Sequence, residues 1–133
     1  MTKGKKANAY LMRYRYSRRY IESLKETLAI ERSRLEYHSC GGHVSSLRMA
    51  NFKELEKTIL QMISKYEAEF DSCILLLDGI ADERCRKVMK LHYIEGLTLE
   101  ETADKMFYSR NTIIRIHKKG LDAVADLCNF EDD

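Results

Sequence analysis

Two long stripes of apolar residues indicate that the first part of the chain is helical. At spacings of three and four residues, the first stripe runs through Tyr10, Tyr14, Ile21, Leu24, Leu28 and Leu35, and the second runs from Phe52 to Leu77. This spacing is typical of one face of an α-helix. It predicts one helix over about residues 7–37 and a second from about residue 52 to 78, because proline is absent and glycine is sparse.

A loop separates the two stripes. Residues 38–46 contain paired glycines and three serines, which favour a turn over a continued helix. The stripes therefore predict an antiparallel helical hairpin with a narrow, coiled-coil-like seam. Apolar residues such as Ile63, Ile74 and Leu76 need a further partner, which the C-terminal helices or a second copy of the chain could supply. A homodimer is therefore one expectation.

Three shorter helices are predicted over about residues 82–95, 98–106 and 109–127. Asp82, Thr98 and Ser109 are N-cap residues, and Glu101 completes a capping box with Thr98. Gly96 provides a stop before Thr98. Two short capped helices in succession, with the small Ala103 at their crossing, describe a helix-turn-helix.

The predicted fold is therefore all-α. A basic N-terminal arm and a long antiparallel hairpin occupy residues 1–78, for oligomerisation or partner contact. A tri-helical helix-turn-helix domain occupies residues 79–133.

The last predicted helix carries side chains that suit double-stranded DNA. Ile113, Ile116, Leu121 and Val124 share one face, and the predicted base contacts lie on the other: Arg110, Asn111 and Arg115, with Lys118 at the rim. Ile114 could meet a thymine methyl group, or it is an exposed aliphatic residue or a contact to the neighbouring hairpin. The predicted phosphate contacts are helix-start hydroxyls and basic residues: Thr98, Ser109, Thr112, Lys119, Arg84, Arg86 and Lys87.

Charge is unevenly distributed along the chain. The formal net charge is +2, yet residues 1–20 contain seven lysines and arginines and no acid. Between Tyr10 and Tyr20 tyrosines alternate with arginines, a pattern that suits phosphate contact and base stacking. Alternatively, Tyr10 and Tyr14 belong to the hairpin seam, or the arm contacts RNA polymerase.

The residues Leu91-His92-Tyr93-Ile94-Glu95-Gly96-Leu97-Thr98-Leu99-Glu100-Glu101, followed by Tyr108-Ser109-Arg110, resemble region 4 of sigma-70-type factors. In outline the whole chain resembles small phage late-gene regulators of the ArpU and RinA type. This resemblance implies a DNA-binding activator of phage or mobile-element genes that acts with bacterial RNA polymerase. It also implies that Arg110, Asn111 and Arg115 contact bases.

Three residues depart from the region 4 pattern. Phe107 stands where glycine is usual, at a position that often needs a positive φ. Thr102 replaces an aliphatic core residue. Gly120 replaces a small residue such as alanine, and the recognition helix either continues through it or ends there.

Other function classes have less support. His38, Cys40 and His43 form the one cluster with metal-ligand chemistry, and three ligands make a poor zinc site. Cys40, Cys73, Cys85 and Cys128 lack paired spacing, so reduced thiols are expected. Neither a cofactor nor an enzymatic activity is predicted.

No apolar run suggests a membrane span, and a location in the cytoplasm of a bacterial host is expected. A small terminase-like packaging subunit and a non-DNA interaction module remain alternatives. In terminase subunits the DNA-binding motif commonly precedes the hairpin, whereas here it follows.

Overall fold

The computed structural model describes residues 1–38 and 44–133, and in these ranges it contains helices and no strands. This confirms the all-α prediction of a helical hairpin followed by a helix-turn-helix. In chain order the elements are α1 (Lys3–Met12), α2 (Ser17–His38), α3 (Ser46–Asp78), α4 (Glu83–Met89), a π-helical turn (Lys90–Ile94), α5 (Leu99–Met106) and α6 (Arg110–Leu127).

The first predicted helix is two helices. Residues 13–16 form a turn, in which the amides of Tyr14 and Ser17 donate to the carbonyls of Leu11 and Tyr14, at 3.0 Å each. Tyr14 is buried in one core and Ile21 in another. The prediction of a continuous helix over residues 7–37 is wrong because its apolar stripe serves two different cores.

The chain forms two compact units. One comprises residues 1–18 with 69–133, and the other comprises residues 19–68. This grouping differs from the predicted division at residue 78. The physical reason lies in α1, whose Ala7 and Leu11 are fully buried within the core of the C-terminal helices.

The unit of residues 19–68 is an antiparallel pair built from α2 and the first part of α3. Its core consists of Ile21, Leu28, Ile59 and Ile63. Ion pairs join Lys25 to Glu67 (3.3 Å) and Arg32 to Glu56 (3.0 Å), so residue numbers rise along one helix as they fall along the other. These exposed pairs show the register of the two helices, and they add little stability.

The apolar residues expected to need a further partner are covered within the chain. Ile63 is buried in the hairpin core, and Ile74 and Leu76 pack against the core of the C-terminal helices. The second copy that was considered for these three residues is not needed to cover them. A homodimer remains a prediction, and these three residues no longer support it.

The unit of residues 1–18 and 69–133 holds the larger core. Its most deeply buried side chains come from every part of the unit: Leu11, Leu77, Ile80, Met89, Tyr93 and Ile113. Helix α6 packs against α1, α4 and α5. Within the described ranges, no helix is both long enough and apolar enough to span a bilayer.

Candidate nucleic-acid interface

Side-chain caps fix where α4, α5 and α6 begin. Asp82 Oδ1 accepts from the amides of Arg84 (2.9 Å) and Cys85 (3.1 Å). Thr98 and Glu101 form the predicted capping box, with both hydrogen bonds at 3.1 Å. Ser109 Oγ accepts from the amide of Thr112 at 3.2 Å. The three N-cap predictions are confirmed, and the caps at Thr98 and Ser109 set where the two helices of the helix-turn-helix begin.

Phe107 makes the turn between α5 and α6 in the left-handed conformation, at φ 59° and ψ 38°. The positive φ expected at this position is therefore present on a residue with a Cβ, which is strained there. Phe107 is 95% exposed, so packing does not offset this strain. The Tyr108 amide donates to the Ala103 carbonyl at 2.9 Å and closes the turn.

Helix α6 continues through Gly120. A Cβ on this residue would lie 2.6 Å from Sδ of Met89, far inside van der Waals contact. The alternative that Gly120 ends the recognition helix is therefore wrong. The glycine instead allows α6 to cross closely over the end of α4, which orients the recognition helix.

Helix α6 separates its apolar and polar faces as predicted. Ile113, Ile116 and Val124 are buried, whereas the predicted base-contact residues are all exposed: Arg110, Asn111, Arg115 and Lys118. None of these four forms an ion pair with another described residue. Ile114, 45% exposed, shares their face. The outward face of α6 is therefore available to a ligand.

A basic depression lies between the start of α4 and the middle of α6. Arg84, Arg115 and Lys119 line it together with Asp82. Hydrogen bonds from the amides of Cys85 and Arg84, together with the charges of Arg84 and Lys119, lower the pKa of Asp82. Three predicted DNA contacts from two helices thus meet at one place.

The remaining predicted phosphate contacts differ in how they are engaged. Lys87 is exposed, whereas Arg86 is half-buried and donates to the Ile80 carbonyl at 3.0 Å. The amide of Thr98 donates to the Glu101 carboxylate, which therefore occupies the position where a phosphate would bind. Ser109 Oγ donates to Thr112 Oγ1 at 2.9 Å. These hydroxyls and Arg86 therefore have structural roles as well.

The cations of the N-terminal arm are largely engaged inside the molecule. Arg15 donates to the carbonyls of His92 (3.3 Å), Gly96 (3.4 Å) and Leu97 (3.2 Å), which lead into α5. Arg18 pairs with Glu95 at 3.1 Å. The arm therefore braces the helix-turn-helix.

Tyr10 and Tyr14, the first two tyrosines of the arm, belong to the unit of residues 1–18 and 69–133. Tyr10 packs edge-to-face on Tyr14 and on Phe130, with ring centroids 5.6 and 6.1 Å apart. They lie in the core of the C-terminal helices, so their assignment to the hairpin seam is wrong.

A half-buried polar network that the sequence did not reveal joins α1, the π-helical turn and α6. The Tyr93 hydroxyl lies 2.5 Å from Asn8 Oδ1 and 2.8 Å from His117 Nε2. The single phenolic proton goes to Asn8, so Nε2–H of His117 donates to Tyr93. Alternation of polar and apolar residues gives no sign of such a network, because its members lie far apart in sequence.

Burial favours the neutral form of both histidines in this region. His92 Nδ1–H donates to the Leu97 carbonyl at 2.6 Å, and the His92 and His117 ring centroids lie 5.3 Å apart. Burial lowers the pKa of His92 and, with the nearby His92 ring, lowers the pKa of His117 to about 4. The recognition helix is therefore held through an uncharged imidazole.

Metal binding has no further support. Within the described residues no three His, Cys, Asp or Glu side chains come together to hold an ion. Cys40, His43 and the side chain of His38 lie outside the described part of the chain. Cys73, Cys85 and Cys128 are free thiols.

Residues 82–126 match the family model of sigma-70, region 4. This segment, about a third of the chain, runs from the N-cap of α4 to the end of α6, and it is a helix-turn-helix of the DNA-binding kind. Helix α1 and the hairpin lie outside it. No curated protein and no solved structure matches the chain.

Proposed function

We propose that this protein is a sequence-specific, DNA-binding transcriptional regulator that activates phage or mobile-element genes together with bacterial RNA polymerase. The observation that carries the proposal is the region 4 segment at residues 82–126, whose α6 presents Arg110, Asn111, Arg115 and Lys118 outward. A protein with this role acts in the cytoplasm of a bacterial host.

Recognition in this proposal divides between α6 and its surroundings. Arginine donates two hydrogen bonds to guanine O6 and N7, and asparagine pairs with adenine N6 and N7. Arg110, Asn111 and Arg115 are therefore the base-contact residues, with Lys118 at the rim. Arg84, Lys87 and Lys119 supply charge for the phosphates, which position the protein without specifying sequence.

The link to polymerase rests on resemblance. Sigma-70 region 4 belongs to transcription machinery, and the order of basic arm, hairpin and helix-turn-helix is similar to the small phage regulators of the ArpU and RinA type. A homodimer would suit a two-fold related operator, and a monomer would suit an asymmetric site beside polymerase.

Selection of a binding site from random duplexes, followed by affinity measurements, tests the proposal. Arg115→Ala should weaken binding to the selected site by about 1–3 kcal/mol and binding to random DNA much less. Equal losses on both would make Arg115 a phosphate contact. Purified bacterial polymerase on a template with the selected site should give more transcript when the protein is added.

Two other outcomes would contradict the proposal. Tight binding without any selected sequence would favour a packaging role, and no binding to any duplex at low salt would favour a protein-interaction module. Affinity should also fall steeply with salt, with a slope in log–log form of about −0.9 per phosphate.

A further inference from the structure

Helix α1 contains three lysines in its first turn, and two of them have acidic partners. Lys3 Nζ lies 3.0 Å from an Asp126 carboxylate oxygen, and Lys6 Nζ lies 2.8 Å from one of Asp133. The first pair ties α1 to α6, and the second ties it to the C-terminal tail. These two lysines therefore serve the fold.

Lys5 differs from its two neighbours. It is exposed, and it forms no ion pair with any described residue. A cation in the first turn of a helix is opposed by the helix dipole, which is positive at that end. The charge of Lys5 therefore opposes the dipole of α1, and no ion pair with a described residue offsets this.

The surroundings of Lys5 suggest what its charge contacts. An open groove of about 600 Å³ runs between α1 and α6. Lys5 and Asn8 of α1 line it, and so do His117 and Lys118 of α6. Two exposed cations from different helices thus face the same space. A phosphate at the mouth of this groove could therefore contact a cation from each helix.

Two carboxylates also line the groove, and both act on Lys3. Asp132 Oδ1 accepts from the backbone amide of Lys3 at 2.6 Å. The hydrogen bond to Asp126 and the charge of Asp126 raise the pKa of Lys3, and the charges of Asp122 and Asp132 add to this. The amide of Lys5 donates to Thr2 Oγ1. The helix-end amides of Lys3 and Lys5 are thus occupied, and an anion here would bind the side chains of Lys5 and Lys118.

We infer that Lys5 binds a phosphate of the DNA backbone just beyond the rim residue Lys118, so that α1 extends the DNA interface outside the region 4 segment. This inference rests on the proposed function, because Lys118 lies at the edge of the base-contact face. The contact adds affinity on any sequence, since a phosphate carries no sequence information. It also gives the exposed, dipole-opposed lysine a role.

Lys5→Gln tests the inference in the full chain, and Arg48→Gln is its matched control. Arg48 is exposed and stands at the third position of α3, as Lys5 does in α1. In both helices the amide of this residue donates to the hydroxyl of the preceding cap residue, Ser45 or Thr2. Both substitutions replace one exposed cation by glutamine at the same helix position, so they change the net charge equally at two different places.

The Lys5→Gln protein should lose about 0.9 from the slope of log affinity against log salt. At about 0.1 M salt its affinity should fall roughly 3- to 10-fold, equally on selected and random duplexes. Its thermal unfolding midpoint should stay unchanged or rise slightly, because a dipole-opposed charge is removed. Arg48→Gln should leave the slope and the affinity unchanged.

Several results would overturn the inference. If Lys118→Gln reduces the slope of log affinity against log salt and Lys5→Gln leaves it unchanged, the protein binds DNA without a contact from Lys5. If Arg48→Gln loses as much DNA affinity as Lys5→Gln, the loss comes from the lower net charge and not from a contact at Lys5. Failure of the unsubstituted protein to bind any duplex would instead contradict the proposed function itself.

Discussion

At the scale of single residues, the clearest strain lies at Phe107. Its left-handed backbone costs roughly 1–2 kcal/mol for a residue with a Cβ, and the residue is 95% exposed. Evolution usually places glycine where such a φ is required. Phe107 therefore occupies a position in this turn that favours glycine.

Phe107→Gly should stabilise the protein by about 0.5–1 kcal/mol, because relief of strain exceeds the extra entropy of glycine in the unfolded chain. The midpoint of urea unfolding measures the change. Phe107→Ala keeps the strain and removes the exposed ring, so it should be close to neutral. A glycine variant no more stable than the alanine variant would contradict the strain argument.

The neutral His117 makes stability dependent on pH. Its pKa is lowered to about 4 in the folded chain, whereas in the unfolded chain it has its ordinary value of about 6.5. The unfolded state therefore binds more protons at low pH. The stabilisation is complete above about pH 6.5 and is lost as the pH falls towards 4.

Between pH 6.5 and 4.5 the free energy of unfolding should fall by roughly 2–3 kcal/mol. Lowered carboxyl pKa values, such as those of Asp82, Glu101 and Asp133, take effect mainly below this window. His117→Gln keeps a donor for the Tyr93 hydroxyl and should flatten the profile, leaving a smaller slope from His92. Identical profiles for the two proteins would exclude His117 as the source.

At the scale of elements, α1 and the turn after it act as part of the helix-turn-helix unit. The Arg15 guanidinium donates to three carbonyls at the end of the π-helical turn and before α5. In that π-helical turn Leu91, His92, Tyr93 and Ile94 are all buried, which requires cover on every side. The arm supplies part of this cover.

Arg15→Gln should therefore destabilise the protein by about 1–2 kcal/mol, since half-buried carbonyls lose a charged donor. Arg13→Gln is the control, because Arg13 is exposed and its guanidinium donates no hydrogen bond to a described residue. It lies 5.6 Å from the centre of the Tyr14 ring and 5.8 Å from that of Tyr10. Chemical denaturation compares the two. Equal losses would mean that Arg15 does not brace the helix-turn-helix.

Sequence predicted the caps and faces of these elements because both are local. Thr98 with Glu101, Ser109 and the apolar stripe of α6 each depend on residues within a few positions. It did not predict where α1 packs. An apolar face shows that a helix is buried and not against which partner, and Tyr10 and Tyr14 fit the stripe of Ile21 and Leu28 equally well.

The sequence also could not predict the π-helical turn or the network of Asn8, Tyr93 and His117. Each depends on tertiary contact between segments about 25 to 85 positions apart. The outward residues of α6 could be predicted because a single helix carries them. Lys5 could not be singled out, since Lys3, Lys5 and Lys6 look alike until their partners are known.

At the scale of the whole molecule, residues 19–68 are inserted into the unit of residues 1–18 and 69–133, which contains the helix-turn-helix. The Arg18 guanidinium lies 5.9 Å from the centre of the Phe70 ring, so the two ends of the insertion approach each other within that unit. An insertion with adjacent ends can be replaced by a short flexible linker without straining the remainder. Residues 79–133 alone, in contrast, lack α1 and the end of α3.

A chain of residues 1–18 and 69–133, joined by a glycine–serine linker of about eight residues, should therefore unfold cooperatively and bind duplex DNA. Residues 79–133 alone should not fold stably, because the partners of Leu11 and Leu77 in the core would be exposed. Circular dichroism in the near ultraviolet and thermal unfolding compare the two chains. If residues 79–133 fold and bind as well as the joined chain, α1 is dispensable; if the joined chain is unfolded, the hairpin is required for folding rather than inserted.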